Sequence, residues 1–313
     1  MVASRAERRR VPRPVMAYLA VLGAGILWGT SGPFSVTLFR MGLPPESVAL
    51  LRTVVGGIFL ALFLLWMNPA GFRISRRNLV AMMGLGGVIV GVFQFSFQMS
   101  TEAIGVPATV ALLYLAPAFV VAVSPWILAE RITWVRAGLA AVSVVGVWMT
   151  VFGSRGVDVE ITPEGLFWGV MCGVTYGSYA MFGRILSPRH GPLAPLFWST
   201  LGGAILLGVA LRGIGAQLIL PSTTEAWVIL VIFGFTTITL AALLLFYAVE
   251  VVDAGRAAIG TTIEPFVATI LAVAFLEQTL DGTGWLGLIV LVAGVAGAYR
   301  AGGPAPPKGG RGG

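Results

Sequence analysis

Charged residues are scarce in this sequence. Only 11% of the 313 residues are Asp, Glu, Lys or Arg, whereas 57% are hydrophobic. So few charges cannot cover the surface of a soluble domain, in which about a quarter of the residues are charged. The excess apolar surface must therefore face lipid.

Several side chains that enzymes and metalloproteins need are also rare or missing. Cys172 is the only cysteine, so an internal disulfide is impossible and a metal cluster is not expected. The chain has no HExxH zinc motif, no nucleophile–base pair and no paired intramembrane aspartates. Lysine occurs only at position 308, so no Walker-type GxxxxGK[ST] loop exists and ATP does not directly power the protein. We therefore predict that the protein is not an enzyme and has no cofactor and no resident metal.

Apolar residues collect in ten blocks of roughly 20 residues, the length that a helix needs to cross a bilayer core. A transmembrane β-barrel would instead show alternating strands of about ten residues. The blocks are continuous and rich in Leu, Val, Gly and Ala, which favours helices. We predict an all-α integral membrane bundle of ten transmembrane helices, with blocks near 15–36, 46–67, 78–100, 105–127, 134–152, 164–186, 193–211, 226–247, 255–276 and 284–300.

Basic residues fall mainly on one side of the predicted membrane. With the N-terminus in the cytoplasm, 16 of the 20 Lys and Arg residues are cytoplasmic and four are external, as the positive-inside rule requires. We therefore predict a multi-pass protein of the bacterial inner membrane with both termini cytoplasmic. The Arg-rich residues 1–14 are predicted to be a basic tail near anionic lipid rather than a nucleic-acid-binding segment, and residues 301–313 a disordered tail. The four external arginines are Arg40, Arg52, Arg155 and Arg212, and Arg40 and Arg52 are expected to be solvated anchors near span ends.

An offset of 148 residues aligns the two halves of the chain. It places Gly25–Gly29 on Gly173–Gly177 and Pro117 on Pro265. Glycine and proline are abundant, at 42 and 18 residues, so chance matches are the alternative explanation. Five spans in each half would make the second copy insert upside down, and inverted repeats are typical of transporters. The predicted units are a first repeat at 15–152, an external linker at 153–163 and a second repeat at 164–300.

Two Pro-centred stretches that each contain an acidic residue near their end point to a known family. They are ATVALLYLAPAFVVAVSPWILAERIT and AAIGTTIEPFVATILAVAFLEQTL. With LWG in the first span and FYAVEVVDAGRAAI between the eighth and ninth, the chain resembles the drug/metabolite transporter superfamily, specifically its ten-helix EamA-type exporters. Within that family it most resembles the bacterial amino-acid exporters, including the aromatic amino acid exporter. The resemblance implies alternating access by two halves around a central substrate cavity.

Polar side chains recur on single faces of several predicted helices, where contact with lipid would be costly. In the first span Trp28 and Ser31 share a stripe, and in the third Gln94 and Gln98 are spaced i, i+4. These stripes predict a neutral, aromatic-rich pocket for ligands with an apolar body and a few hydrogen-bonding groups. For each residue, an interhelical hydrogen bond or core packing is the alternative role. The candidate substrate-binding residues are Trp28, Ser31, Gln94, Gln98, Tyr114, Tyr176, Tyr179, Thr237 and Glu264.

Glu264 stands in the middle of the ninth block, directly before Pro265, which lacks a backbone N–H and loosens a helix. A carboxyl group at this depth has three possible roles: a proton carrier, a ligand for a substrate ammonium group, or a hydrogen-bond partner for freed backbone. The first half has Ala116 at the equivalent place. The helix itself therefore does not need the charge.

Together these features predict a secondary transporter, monomeric as a working assumption, that exports amphipathic metabolites by alternating access. Amino acids, aromatic or other neutral ones, are the leading substrate class, and protons are the candidate coupling ion. Drugs or other amphipathic metabolites as cargo, or a channel-like uniporter, are the alternatives. Organophosphate carriage is disfavoured because the spans lack mid-membrane pairs of Lys or Arg.

Overall fold

The structure is a computed structural model that describes residues 14–127, 132–156 and 159–301. The predicted tails at 1–14 and 301–313 fall almost entirely outside these residues, as does part of the predicted linker. The described part of the chain folds into ten helical spans, α1–α10, and two short strands, β1 and β2. The bounds are α1 Pro14–Arg40, α2 Pro45–Met67, α3 Arg76–Ile104, α4 Val106–Ile127, α5 Trp134–Phe152, β1 Ser154–Gly156, α6 Pro163–His190, α7 Leu193–Gly213, α8 Thr224–Val249, α9 Ala254–Thr261 continued by Glu264–Phe275, β2 Gln278–Leu280 and α10 Gly282–Ala301.

Nine of the described spans are long and apolar enough to cross a membrane by themselves. The tenth, α6, has 28 residues and so has the length, but it carries Thr175, Tyr176 and Tyr179 in its middle. It packs against α3 and α4, and Thr175 and Tyr176 are at most partly exposed. A helix that keeps its polar side chains toward other helices needs less hydropathy to lie in lipid. The bundle therefore has ten spans, and the prediction of an all-α ten-helix membrane protein is confirmed.

The outer surface of the bundle is apolar. Side chains such as Trp66, Trp134 and Phe275 are 79%, 94% and 70% exposed. Apolar exposure on this scale would drive a water-soluble protein to associate, whereas lipid tails solvate it. Trp66 and Trp134 lie at helix ends, where tryptophan prefers the membrane interface.

The helices of the two halves exchange equivalent contacts. Gly29 of α1 packs directly on Val267 of α9, and Gly177 of α6 packs directly on Phe119 of α4. Residues 29 and 177, and likewise 119 and 267, are 148 positions apart. The offset found in the sequence therefore also relates the tertiary contacts, and each half places its first helix against the fourth helix of the other half.

The same relation governs α5 and α10, which pack against each other with almost no side chain between them. Gly146 of α5 faces the backbone of Leu291, and Gly294 of α10 faces the backbone of Ser143. Both pairs again follow the 148-residue offset. Small residues at such crossings let helix backbones approach closely, which gains van der Waals contact where lipid offers no hydrophobic driving force.

The fourth helix of each half is interrupted at the same point. Helix α4 breaks at residues 114–115 and α9 at residues 262–263, and the second segments restart with Ala116-Pro117 and Glu264-Pro265. Proline is well placed in a first helical turn, because its missing N–H would have no intrahelical partner there. Irregular backbone at membrane depth is tolerated where it is surrounded by protein or lines a cavity.

One end of the bundle is tied across the two halves. Strand β1 follows α5 and pairs antiparallel with β2, which joins α9 to α10. The Gln278 Oε1 atom accepts a hydrogen bond of 2.8 Å from the backbone N–H of Val106, at the start of α4. Arg155 and Asp281 add an ion pair of 3.0 Å. The two halves therefore close on each other at this end.

Candidate functional site

A central cavity of about 360 Å³ lies between the two halves. Its lining comes from helices of both halves and reaches Pro192 and Pro195, at the start of α7. Among the described residues, none of its lining belongs to β1 or β2, which lie at the opposite end of the bundle. The cavity therefore extends from mid-membrane toward the end where α6 leads into α7.

The structure brings most of the predicted pocket residues together. Seven of the nine line the cavity: Trp28, Ser31, Gln94, Tyr176, Tyr179, Thr237 and Glu264. Tyr114 lies directly behind the wall, with its hydroxyl on Glu264. Gln98 is different, because it is fully buried and lies outside the lining.

Glu264 opens the second segment of α9. Its side chain is only 6% exposed, and its Oε2 atom accepts a hydrogen bond of 3.1 Å from the Tyr114 hydroxyl. Because the helix restarts here, Glu264 is the first residue of a helix segment, at the end where the helix dipole favours negative charge. The sequence predicted a loosened helix at Pro265, and the structure has a complete interruption just before Glu264.

Two aromatic residues at equivalent positions face the cavity from opposite halves. Trp28 of α1 donates its Nε1–H to the backbone carbonyl of Thr237 at 2.9 Å, within a π-helical turn of α8. Such turns leave carbonyl groups without their usual helical partner. Tyr176 of α6, 148 positions after Trp28, stacks on Phe93 with ring centroids 5.4 Å apart. The pocket therefore has one aromatic wall from each half, which suits a ligand with an apolar body.

The position of Arg52 contradicts the expectation of a solvated anchor near a span end. Arg52 lies two turns inside α2, is 4% exposed and lines the cavity. Its guanidinium lies 4.3 Å from the ring centroid of Phe233 and 5.7 Å from that of Phe97. Its Nη2 donates to the Thr237 hydroxyl at 3.3 Å, whereas its Nε and Nη1 have no hydrogen-bond partner. The pocket therefore contains an arginine in addition to the predicted carboxyl group of Glu264, so its lining is more highly charged than the sequence indicated.

Sequence reasoning missed Arg52 because it lies close enough to the end of the span for its side chain to reach water. Seven residues separate it from Pro45, which is roughly 10 Å along a helix. A long arginine side chain at that depth can often reach the interface. Arg52 is buried because it lies on the helix face that meets α3 and α8, and only the packing of α2 reveals this.

The model of the EamA-like transporter family matches the chain twice, over residues 15–152 and 163–300. The chain is 25% identical to an uncharacterized transporter of Archaeoglobus fulgidus, over 90% of this chain and 95% of that protein. It is 21% identical to the uncharacterized transporter YdfC of Bacillus subtilis, over 93% of this chain and 92% of that protein.

A solved crystal structure shares the fold, with a TM-score of 0.66, 19% sequence identity, and coverage of 92% of this chain and 99% of that one. The double family match confirms the repeat, and the transporter relatives confirm that the protein is a membrane transporter and not an enzyme. The chain belongs to the EamA-like transporter family, with one copy of the family's domain in each half.

Proposed function

We propose that this protein is a secondary transporter that exports small amphipathic metabolites, with amino acids as the leading class, across the bacterial inner membrane. The observation that carries the proposal is the central cavity, which both halves build and which contains Trp28, Tyr176 and Glu264. Its volume of about 360 Å³ falls in the range of small-molecule sites. The aromatic walls suit an apolar side chain, and the charged groups suit the polar end of an amino acid.

The repeat supports alternating access as the transport mechanism. The cavity extends toward the α6–α7 end, while β1–β2 and the Arg155–Asp281 pair close the other end. Because the halves are equivalent and inverted, exchanging their conformations would open the second end and close the first. The interruptions in α4 and α9 are the places where such bending is least costly, since their backbone is already outside regular helix.

The distribution of basic residues supports an orientation in which the α6–α7 end faces the cytoplasm. The cavity would then open inward in this structure, as an exporter needs for loading substrate. A cysteine introduced at the exposed Ser222, between α7 and α8, should react with an impermeant thiol reagent added outside intact cells. The native Cys172 is buried and serves as the unlabelled background. Labelling of Ser222→Cys only in opened cells would refute the orientation.

Transport itself is tested with purified full-length protein in liposomes. The vesicles are loaded with labelled amino acids, nucleosides or cationic drugs, and efflux is followed with and without a pH gradient. Saturable efflux of neutral or aromatic amino acids is the expected result. Retention of every amino acid while cationic drugs leave would refute the substrate class, and conductance without saturation would indicate a channel.

Glu264→Gln tests the role of the carboxyl group in this assay. Glutamine preserves the size and the acceptor oxygen facing Tyr114, but it cannot release a proton or pair with an ammonium group. We expect efflux to fall sharply while the protein is made in normal amounts. If the pH gradient no longer affects the residual efflux, Glu264 carries the proton. Unchanged efflux would remove Glu264 from the mechanism.

A further inference from the structure

We propose that Arg52 is an anion-binding residue of the central cavity and that it takes the carboxylate of the substrate. This proposal deepens the proposed transport function and rests on it for the meaning of the cavity. It assigns the substrate one feature that the aromatic walls do not specify, a negatively charged group beside Arg52 in the wall of the cavity.

The first observation is the incomplete bonding of the Arg52 guanidinium. This group has five N–H donors in a fixed plane. In the described structure one nitrogen, Nη2, donates to the Thr237 hydroxyl at 3.3 Å, while Nε and Nη1 have no partner. Buried charges without partners are rare, because desolvation strongly disfavours them. A planar carboxylate that accepts two parallel N–H bonds would satisfy this group.

The second observation is the way the guanidinium is held. The rings of Phe97 and Phe233 lie within 5.7 Å and 4.3 Å of it, so the charge lies against aromatic faces in the wall of the cavity. Arg52 and Glu264 both line the cavity, yet no ion pair joins them within the described structure. Glu264 bonds to Tyr114 instead. The positive charge is therefore not neutralised by the carboxyl group of the same cavity.

The third observation comes from the repeat. The equivalent of Arg52 in the second half is Thr200, which also lines the cavity. Helix α7 carries Thr200 and takes the place of α2 in its half without a charge at this position. Arg52 is therefore not required to build this helix or its crossing, just as Ala116 shows for Glu264. A costly charge that the symmetric half omits points to the ligand rather than to the fold.

The test uses two probes of nearly equal size that differ in charge, 3-phenylpropionate and 3-phenylpropan-1-ol. Binding of each is measured to the purified full-length protein. The variants are Arg52→Gln, which removes the charge, and Arg52→Lys, which keeps the charge but loses the two parallel N–H groups. The control is Arg212→Gln, because Arg212 lies exposed in the last turn of α7, away from the cavity lining.

We expect the wild type and Arg212→Gln to bind the carboxylate at least tenfold more tightly than Arg52→Gln, with Arg52→Lys in between. Binding of the alcohol should change less than twofold in all four proteins, which also shows that Arg52→Gln is folded. Equal carboxylate binding by wild type and Arg52→Gln would overturn the inference. If Arg52→Gln does not fold, the wild type decides alone: it must prefer the carboxylate to the alcohol by at least tenfold, and the absence of that preference would overturn the inference.

The outcome is separable from that of the transport proposal. Phenylalanine efflux from liposomes tests export, whereas the two probes test the anion site by binding alone. Arg52-dependent carboxylate binding without amino-acid efflux would refute the proposed substrate and leave the anion site standing. Amino-acid efflux together with carboxylate binding that does not depend on Arg52 would support the transport proposal and refute the anion site.

Discussion

The hydrogen bond between Tyr114 and Glu264 connects the interrupted helices of the two halves, and its strength can be measured. The Tyr114 hydroxyl lies 3.1 Å from Glu264 Oε2 and 3.1 Å from the backbone carbonyl of Thr261, so it has one hydrogen for two acceptors. Both distances are longer than the usual O–H···O distance of about 2.7–2.8 Å. Interhelical hydrogen bonds in membrane proteins contribute about 0.6 kcal/mol on average and at most about 1.7 kcal/mol. We therefore expect a coupling energy of about 0.6 kcal/mol between the two side chains.

The assay is a double-mutant cycle on the free energy of unfolding. Tyr114→Phe removes the donor, and Glu264→Ala removes the acceptor and installs the residue that the first half has at position 116. Unfolding by denaturing detergent is followed for the wild type, both single variants and the double variant. The matched control is a cycle of Tyr179→Phe with Glu264→Ala, because Tyr179 lines the same cavity but has no hydrogen bond to Glu264 in the described structure. A Tyr114 coupling no larger than the control value would refute this account of how the interruptions are joined.

Two further predictions concern the closely packed helices and the closed end of the bundle. Gly146→Val should destabilise the folded protein by about 1–3 kcal/mol, because a Cβ there overlaps the facing backbone of α10. The control is Gly138→Val, which should be nearly neutral because Gly138 has open space around it. Equal unfolding midpoints for the two variants would contradict the close packing of α5 on α10. Arg155→Gln removes a partly exposed ion pair with Asp281, contributing about 0–1 kcal/mol, so it should raise the outward-open population by up to roughly fivefold. The rate at which an external thiol reagent labels a cysteine placed at Ser31 measures this rise, and a slower rate than in the parent would contradict it.

Part of the candidate pocket could be read from helical periodicity. Trp28 and Ser31 share a stripe on α1 and both line the cavity, as the costliness of polar groups in lipid predicts. Gln94 and Gln98 illustrate the limit, because they also share a stripe and yet only Gln94 reaches the cavity. A helix in the middle of a bundle has several faces protected from lipid, and periodicity does not distinguish the face toward a cavity from a face toward a neighbouring helix.

The sequence by itself determined the class of protein, the number of spans, the 148-residue repeat and the family. The class and the number of spans follow from the length of the apolar blocks, which lipid constrains strongly, and the repeat follows from the spacing of glycine and proline. The family follows from the resemblance of the two Pro-centred stretches to a known family. Only the tertiary structure decided that Arg52 turns into the cavity between Phe97 and Phe233, and that Glu264 begins a helix segment facing Tyr114. The reason is physical: the surroundings of a side chain within a bundle depend on residues far away in the sequence, and no local pattern records them.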